Sequence, residues 1–253
     1  VTVREPKFEA AESADAPAHA EPGAGGWSEF WESIEEQRAA FATEAADYAA
    51  RLAATGLLAP DHDVLDFGCG FGHVARLLAP RVRSLRVWDA STSVLRKARL
   101  ALEDVPNVSV VDFSAPDRLD EYAAAFDRIL AHSVVQYMDV PELGAWLARW
   151  TKMLKPGGKI VLSDLLQPNV GFLRETLVIA RFFWQQGIFW EVAREKLRRA
   201  KSYLTTRSER RLTLVTPEVL RQLTADGRLS VELLPENLSY RNSRLTAVLT
   251  LQR

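Results

Sequence analysis

Three glycines spaced by two, Gly68, Gly70 and Gly72, follow the short apolar run VLDF and precede the helix-patterned stretch HVARLLA. Glycines in such a loop permit a tight turn and let backbone amides come close to a ligand. Alone the pattern says little. It gains weight from a second acidic residue, because SLRVWD ends in Asp89, 21 residues after Gly68. A carboxylate closing the second strand of a parallel sheet can accept both hydroxyls of a ribose. Both features would lie at carboxyl ends of strands, where open α/β sheets bind ligands. The even spacing differs from the G-x-G-x-x-G that grips a pyrophosphate.

The surrounding pattern supplies the elements that must hold these residues. DVLDFG, SLRVWD, NVSVVDF, FDRILAHSV and KIVLSDLL read as strands. HVARLLAPR, TSVLRKARLAL and PELGAWLARWTKML read as helices between them. Strands alternating with helices of about ten residues imply an α/β fold with parallel strands covered on both faces and right-handed crossovers. The tail departs from this rhythm: RLSVELLP and RLTAVLTLQR are two strands joined by ENLSYRNS, in the manner of a hairpin. Ahead of the sheet, WSEFWES opens a first helix capped by Ser28, and EQRAAFATEAADYAARLAATG reads as a second that stops at Gly56. Residues 1–26 carry two basic and five acidic side chains among Ala, Pro and Gly, the composition of a disordered leader, which leaves one domain over 27–253.

Bulk properties exclude several functions. A formal net charge of −1 argues against a general nucleic-acid binder. Cys69 is the sole cysteine, so no internal disulfide framework exists, in keeping with a reducing compartment. No run nears the roughly 18 apolar residues of a spanning helix, and the amino terminus lacks a secretory apolar region. The sequence therefore reads as cytoplasmic.

VLDFGCGFG resembles the first motif of class I S-adenosylmethionine-dependent methyltransferases, an apolar run, an acidic residue and then G-x-G-x-G. The likeness continues in order through Asp89, VVDF (110–113), FDRILAHSVVQYM and LKPGGKIVLSD (154–164), covering about residues 27 to 170. It implies a Rossmann-like seven-stranded sheet, mostly parallel, with a C-terminal antiparallel hairpin, helices on both faces and a helical cap after strand five. It also implies S-adenosylmethionine as cofactor, with S-adenosylhomocysteine as product. By resemblance, Asp66 orients the methionine amino group, with Gly68, Gly70 and Gly72 as the backbone lining. Asp89, with Ala90 beside it, holds the ribose diol. Asp112 accepts the adenine amino group, Phe113 packs by the ring, and His132 flanks the methionine end.

Methyl transfer from a sulfonium needs alignment and exclusion of water, and a base only when the nucleophile arrives protonated. His132 and Tyr137, beside the end of strand four, are the candidate catalytic residues. Many relatives carry His where Tyr137 stands, which weakens a base role there. His73 opens the helix after the glycine loop, and Asp164 could face the acceptor. Cys69, between glycines, reads as a small filler rather than a nucleophile. The four histidines are scattered without metal-ligand spacing, so no metal is expected.

Between strand five and the tail lies an insertion, 167–211, that the bare fold does not require. NVGFLRETLVIARFFW reads as a helix with Phe172, Leu173, Thr176, Leu177, Ile179, Ala180, Phe183 and Trp184 on one broad apolar face. After Gly187, IFWEVAREKLRRAKSYL reads as a second, basic helix. Residues 191–211 hold eight Lys/Arg and three Glu, net +5, against −6 for the remainder. Three readings stay open for the basic helix: a solvated face, recognition of an anionic acceptor, or peripheral contact with an anionic membrane through 188–211. Trp31, Tyr137, Phe183 and Trp184 are the expected acceptor contacts. The favoured function is methyl transfer to an apolar or amphiphilic small molecule, such as a secondary metabolite, a quinone or a lipid-linked intermediate, and not to nucleic acid. The alternative is a fold relative that binds the cofactor but acts as a lyase, cyclase or accessory protein.

Overall fold

The computed structural model describes residues 38–111, 113, 119–168, 170–194, 197 and 212–252. Seven strands occur in chain order: β1 (Asp63–Phe67), β2 (Ser84–Trp88), β3 (Val108–Val110), β4 (Phe126–His132), β5 (Leu154–Leu165), β6 (Leu229–Leu233) and β7 (Leu245–Leu251). They form one sheet in the order β3-β2-β1-β4-β5-β7-β6. The pairs β2–β3, β1–β2, β1–β4 and β4–β5 are parallel, while β7 runs antiparallel to both β5 and β6. The order steps outward from β1 in one direction and from β4 in the other. The topological switch point therefore lies between β1 and β4, and the crevice beyond their carboxyl ends is where such a sheet takes ligands.

The helices are α1 (Arg38–Ala54), α2 (His73–Leu78), α3 (Thr92–Ala101), α4 (Val140–Met153), α5 (Phe172–Gln185) and α6 (Pro217–Leu223). Local chemistry fixes where they start. Ser91, Asp139 and Thr216 accept hydrogen bonds from the amides of Val94, Glu142 and Val219, each cap contributing about 1 kcal/mol. Helix α6 lies outside the pattern read from the sequence, although Thr216 followed by Pro217 is a helix-start signal.

Side chains alternate along the strands to fill a core on each face. On one, Phe67 packs Trp88 at 4.4 Å, Trp146 at 4.5 Å and Trp150 at 4.8 Å between ring centroids. The other holds Tyr48 and Leu52 of α1 with Val64, Leu78, Leu85 and Leu130. At the amino ends of the strands, Lys155 Nζ bridges Asp63 and Asp127, 2.7 Å from each. That charge cluster ties the starts of β1, β4 and β5 together at the edge opposite the crevice.

A third, smaller core seats the cap. Phe182 and Phe183 of α5 pack with Ala40, Val192 and Tyr240, and the Phe182 and Tyr240 rings stack at 3.8 Å. The single broad apolar face read for this helix divides in two. Phe183 is buried toward the domain, whereas Leu173, Leu177 and Trp184 face solvent. The physical reason is Phe182: at 100° per residue its neighbour and Tyr240 draw the helix in on a side roughly opposite Leu173 and Trp184.

Candidate functional site

The glycine loop leaves β1 in a conformation that its residue types make possible. Gly68 has φ +78°, and a Cβ there would come 2.6 Å from the Val134 side chain. Gly72 has φ +82°, and a Cβ would come 2.8 Å from Leu102. Both positions thus exclude a side chain by backbone conformation and by space. The Gly68 and Cys69 amides both donate to Trp88 O, at 2.8 and 3.0 Å. Next, Gly70 N donates to Asp89 Oδ2 at 2.9 Å and Ser91 N to Oδ1 at 3.0 Å. Asp89 is held by backbone at the mouth of the loop, and each oxygen retains a lone pair for a further donor. Ala90, next to it, is exposed.

Asp66 is 3% exposed, and its Oδ2 atom has no hydrogen-bond partner. Burial, with the charge of Asp89 second, pushes its carboxyl up to about 7. Burial also raises Asp89, against the pull of its two amide donors. A buried carboxyl group with an orphaned oxygen, beside a half-buried one at the end of the adjacent strand, forms a costly arrangement unless a ligand brings donors. An ammonium at Asp66 and a ribose diol at Asp89 meet that need, so the residues present fit S-adenosylmethionine. Cys69 is buried beside them, and burial followed by the two carboxylates pushes its thiol up, which keeps it protonated and unreactive.

His132 ends β4, and its Nδ1 lies 3.0 Å from Ser163 Oγ on β5. Its ring stacks on Tyr48 with centroids 3.8 Å apart. Burial is the largest influence on the imidazole and pushes it down to about 4, with Asp164 opposing and Arg241 assisting. At neutral pH His132 is therefore an uncharged, weak base. Tyr48 was not singled out by sequence reasoning. The available signal was a lone aromatic on the buried side of the Ala-rich helix EAADYAARLAA. Its hydroxyl is fully buried with no hydrogen bond of good geometry; burial pushes its ionisation up, the nearby Ser163 side chain opposes this, and Asp66 adds to it.

Asp164 is locked into the scaffold. Its oxygens accept from Ser133 Oγ at 2.9 Å, Ser239 Oγ at 2.8 Å, Asn237 Nδ2 at 3.2 Å and Arg244 Nη1 at 2.8 Å. Burial opposes its ionisation, but Arg241 and Arg244 hold it well below the usual carboxylate range. Four donors leave it no free lone pair, so the expectation that it could face the acceptor does not hold. Ser133 and Asp164 both have left-handed backbones, φ +57° and +67°, at the carboxyl ends of β4 and β5. Strain of this kind persists where the surroundings over-determine the conformation, and here the Ser133–Asp164 hydrogen bond does so.

The other sequence-derived residues distribute unevenly. Tyr137 lies half-buried in the 3₁₀ turn Val135–Tyr137 just past β4, near His132 in sequence and at the switch point. Phe113 is 5% exposed and packs on Trp88 at 5.7 Å and Tyr122 at 5.4 Å between centroids. Phe183 is 1% exposed within the cap core and Trp184 is 63% exposed, so the structure does not bring these two together on one wall. Trp31 and Asp112 lie outside the described residues, as does the basic stretch 198–211.

Residues 64–158 match a family model described as a methyltransferase domain. Over 109 residues the chain is 36% identical to chondramide synthase cmdD of Chondromyces crocatus, which is 41% of this chain and 3% of that protein. Over 110 residues it is 31% identical to a ubiquinone biosynthesis O-methyltransferase of Xanthomonas axonopodis pv. citri, 43% of this chain and 45% of that one. The chain thus spans less than half the length of either relative. Among solved structures, phosphoethanolamine N-methyltransferase 1 of Haemonchus contortus, in complex with phosphoethanolamine and S-adenosylhomocysteine, aligns with a TM-score of 0.58 at 13% identity. The alignment covers 89% of this chain and 47% of that one, a likeness of fold.

Proposed function

We propose that this chain, whose residues 64–158 match a methyltransferase domain, is a class I S-adenosylmethionine-dependent methyltransferase that moves the methyl group of S-adenosylmethionine to an apolar or amphiphilic small molecule. The observation that carries the reading is the orphaned, buried Oδ2 of Asp66 beside the amide-held carboxylate of Asp89. When bound, S-adenosylmethionine supplies a methyl group on a good leaving group. Asp66 would hold the ammonium, Asp89 the ribose hydroxyls, and Phe113 the side of the adenine ring, with Asp112 assigned to the adenine amine from the sequence motif. Gly68, Gly70 and Gly72 keep side chains out of the space so that backbone can approach.

The chain's own contribution to the transfer is positional. His132, held near 4 by burial, takes little part as a base at neutral pH, and its ring instead forms a rigid wall with Tyr48. Tyr137, past the end of β4, would be the side chain that meets the acceptor. Alignment and exclusion of water then carry the rate. The small-molecule acceptor is supported by the cap inserted after β5, and the similarity to a ubiquinone biosynthesis O-methyltransferase is consistent with a quinone-like molecule.

Incubation with methyl-labelled S-adenosylmethionine and a panel of phenols, quinones and lipid-like acceptors tests the proposal, alongside calorimetry with S-adenosylhomocysteine. Label transfer to an apolar acceptor supports it. Tight product binding without transfer to any acceptor would favour the fold relative that acts as a lyase, cyclase or accessory protein.

A further inference from the structure

The cap carries an apolar ridge that the fold does not use. Leu173, Leu177 and Trp184 of α5 are 77%, 70% and 63% exposed, and at 100° per residue they lie within about 40° of one another. The ridge continues past Gly187. Trp184 meets Phe189 edge-on at 5.7 Å, Phe189 meets Trp190 at 5.1 Å, and Trp190 and Leu197 are 71% and 81% exposed. Trp190, Arg194 and Leu197 fall on one helical face, four and three residues apart. The inner face of α5 is already satisfied by Phe182 and Phe183 against Tyr240, so the ridge is not needed to hold the cap.

Charge selects the occupant. Arg174, Arg181 and Arg194 are exposed beside the ridge or within it. Residues 170–211 contain ten Lys/Arg against four Glu, net +6, while the remainder of the chain is −7. A second copy meeting this face symmetrically would set two such positive segments against each other. A nucleic acid would leave three exposed leucines against phosphates. A lamellar surface satisfies both features at once, since leucine and tryptophan enter the headgroup boundary while arginines remain with anionic headgroups. No helix among the described residues is long and apolar enough to cross a membrane. We propose that the ridge formed by Leu173, Leu177, Trp184, Trp190 and Leu197, with its flanking arginines, docks the cap peripherally on an anionic membrane surface. The inference stands independently of the acceptor reading, because it concerns the outer face of the cap.

The test uses the full chain with phosphatidylcholine vesicles, with and without phosphatidylglycerol, followed by sedimentation and tryptophan emission. The expected result is binding to the anionic vesicles alone, a blue-shifted emission, and release by high salt. Leu177→Ser with Trp190→Ser should weaken partitioning roughly tenfold or more, with melting temperature and S-adenosylhomocysteine affinity unchanged. Failure of the wild-type chain to bind anionic vesicles overturns the proposal, as does binding indifferent to the double substitution. A wild-type dimer in light scattering that the double substitution dissolves would assign the ridge to a second copy and overturn it equally. A ridge reached by vesicles only after deletion of residues 1–37, which carry net −7, would assign it to that segment instead and also overturn the proposal.

Discussion

The Tyr48 ring lies face to face on the His132 imidazole, with centroids 3.8 Å apart and planes 15° from parallel. One ring comes from α1, ahead of the sheet, and the other from the carboxyl end of β4. The stack therefore clamps the first helix over the switch point. Ser163 on β5 completes the clamp through its contact with His132 Nδ1. Three elements far apart in sequence converge where the methionine end of the cofactor would lie.

Tyr48→Phe keeps the stack and removes only the hydroxyl. That hydroxyl is buried with no hydrogen bond of good geometry, only the Ser163 side chain nearby, so its loss should change thermal stability by about 1 kcal/mol or less. If it donates to the amino-acid end of the ligand, S-adenosylhomocysteine affinity should fall by about 1 kcal/mol, roughly fivefold. Calorimetry and a melting curve on the same preparation check this. A stabilised variant with unchanged affinity would make the hydroxyl a packing atom.

Asp66 gives binding a pH dependence. With its carboxyl up at about 7 in the folded chain, against the 3.8 of an ordinary aspartate, it carries a proton at mildly acidic pH. Pairing with an ammonium requires the carboxylate, so binding at pH 6 should release a proton and affinity should rise from pH 6 to pH 8. The same raised value means that, without ligand, Asp66 makes stability fall as pH rises from about 4 toward 7, because the unfolded chain ionises first. Calorimetry in buffers of different ionisation enthalpy measures the proton count. Asp66→Asn should abolish both trends.

Much of this was legible in the sequence because period-two and helical patterns follow directly from which face of an element is buried. The alternating strands, the glycine loop and Asp89 all register locally, within one strand and its turn. Tyr48 did not, since its importance depends on a partner 84 positions away and nothing in α1 marks it apart from its size. Asp164 was misjudged for a related reason. Its position after a strand suggested a ligand-facing carboxylate, while Arg241, Arg244, Asn237 and Ser239, which occupy it, arrive from the far end of the chain. The cap helix showed that two apolar sides a quarter turn or more apart can look like one broad face in a sequence. Only packing against Tyr240 decides which is buried.

Arg244 should be the residue that fastens the cap. Its Nη1 lies 2.8 Å from Asp164 and its Nε 2.7 Å from Glu175 of α5. Arg244→Ala leaves a buried carboxylate with Arg241, at 3.5 Å, as the one charged partner beside its neutral donors, which should cost about 3 kcal/mol in denaturant unfolding, the low end for a broken buried pair. Glu175→Gln should cost less, because Asp164 keeps its partner. The two substitutions should also be less than additive, since both interrupt one contact. A cost below ~1 kcal/mol for Arg244→Ala would show that Arg241 suffices.

Acid should destabilise the chain earlier than its carboxylates alone would require. His132 falls to about 4 in the folded state from the 6.5 of an ordinary histidine, so the unfolded chain takes up a proton first as pH drops. The stability this confers is complete above about 6.5 and is lost progressively down to 4. Asp164, held below its usual range, adds a further loss only below about 3.8. Asp66 works in the opposite sense over the same range, so the test is made in the Asp66→Asn chain: urea midpoints between pH 7 and 4 should decline there, and decline less when His132→Asn is added. Parallel declines would place the acid sensitivity elsewhere.

Asp89 and Asp66 can be separated by choosing ligands. Asp89→Ala removes the acceptor for the ribose hydroxyls and should weaken S-adenosylhomocysteine by ~1.5–3 kcal/mol, roughly tenfold to a hundredfold. It should weaken 5′-methylthioadenosine similarly, because that molecule keeps the ribose and lacks the amino-acid arm. Asp66→Asn should weaken S-adenosylhomocysteine and leave 5′-methylthioadenosine nearly untouched. The Gly70 and Ser91 amides also lose their partner in Asp89→Ala, so a general loosening of the loop is a competing cause. That cause would weaken both ligands equally in Asp89→Ala and would not be reversed by Asp89→Glu. A direct ribose contact would instead be restored in part by Asp89→Glu, whose carboxylate can still reach the diol. Equal loss for both ligands in both variants would sink the division of labour between the two carboxylates.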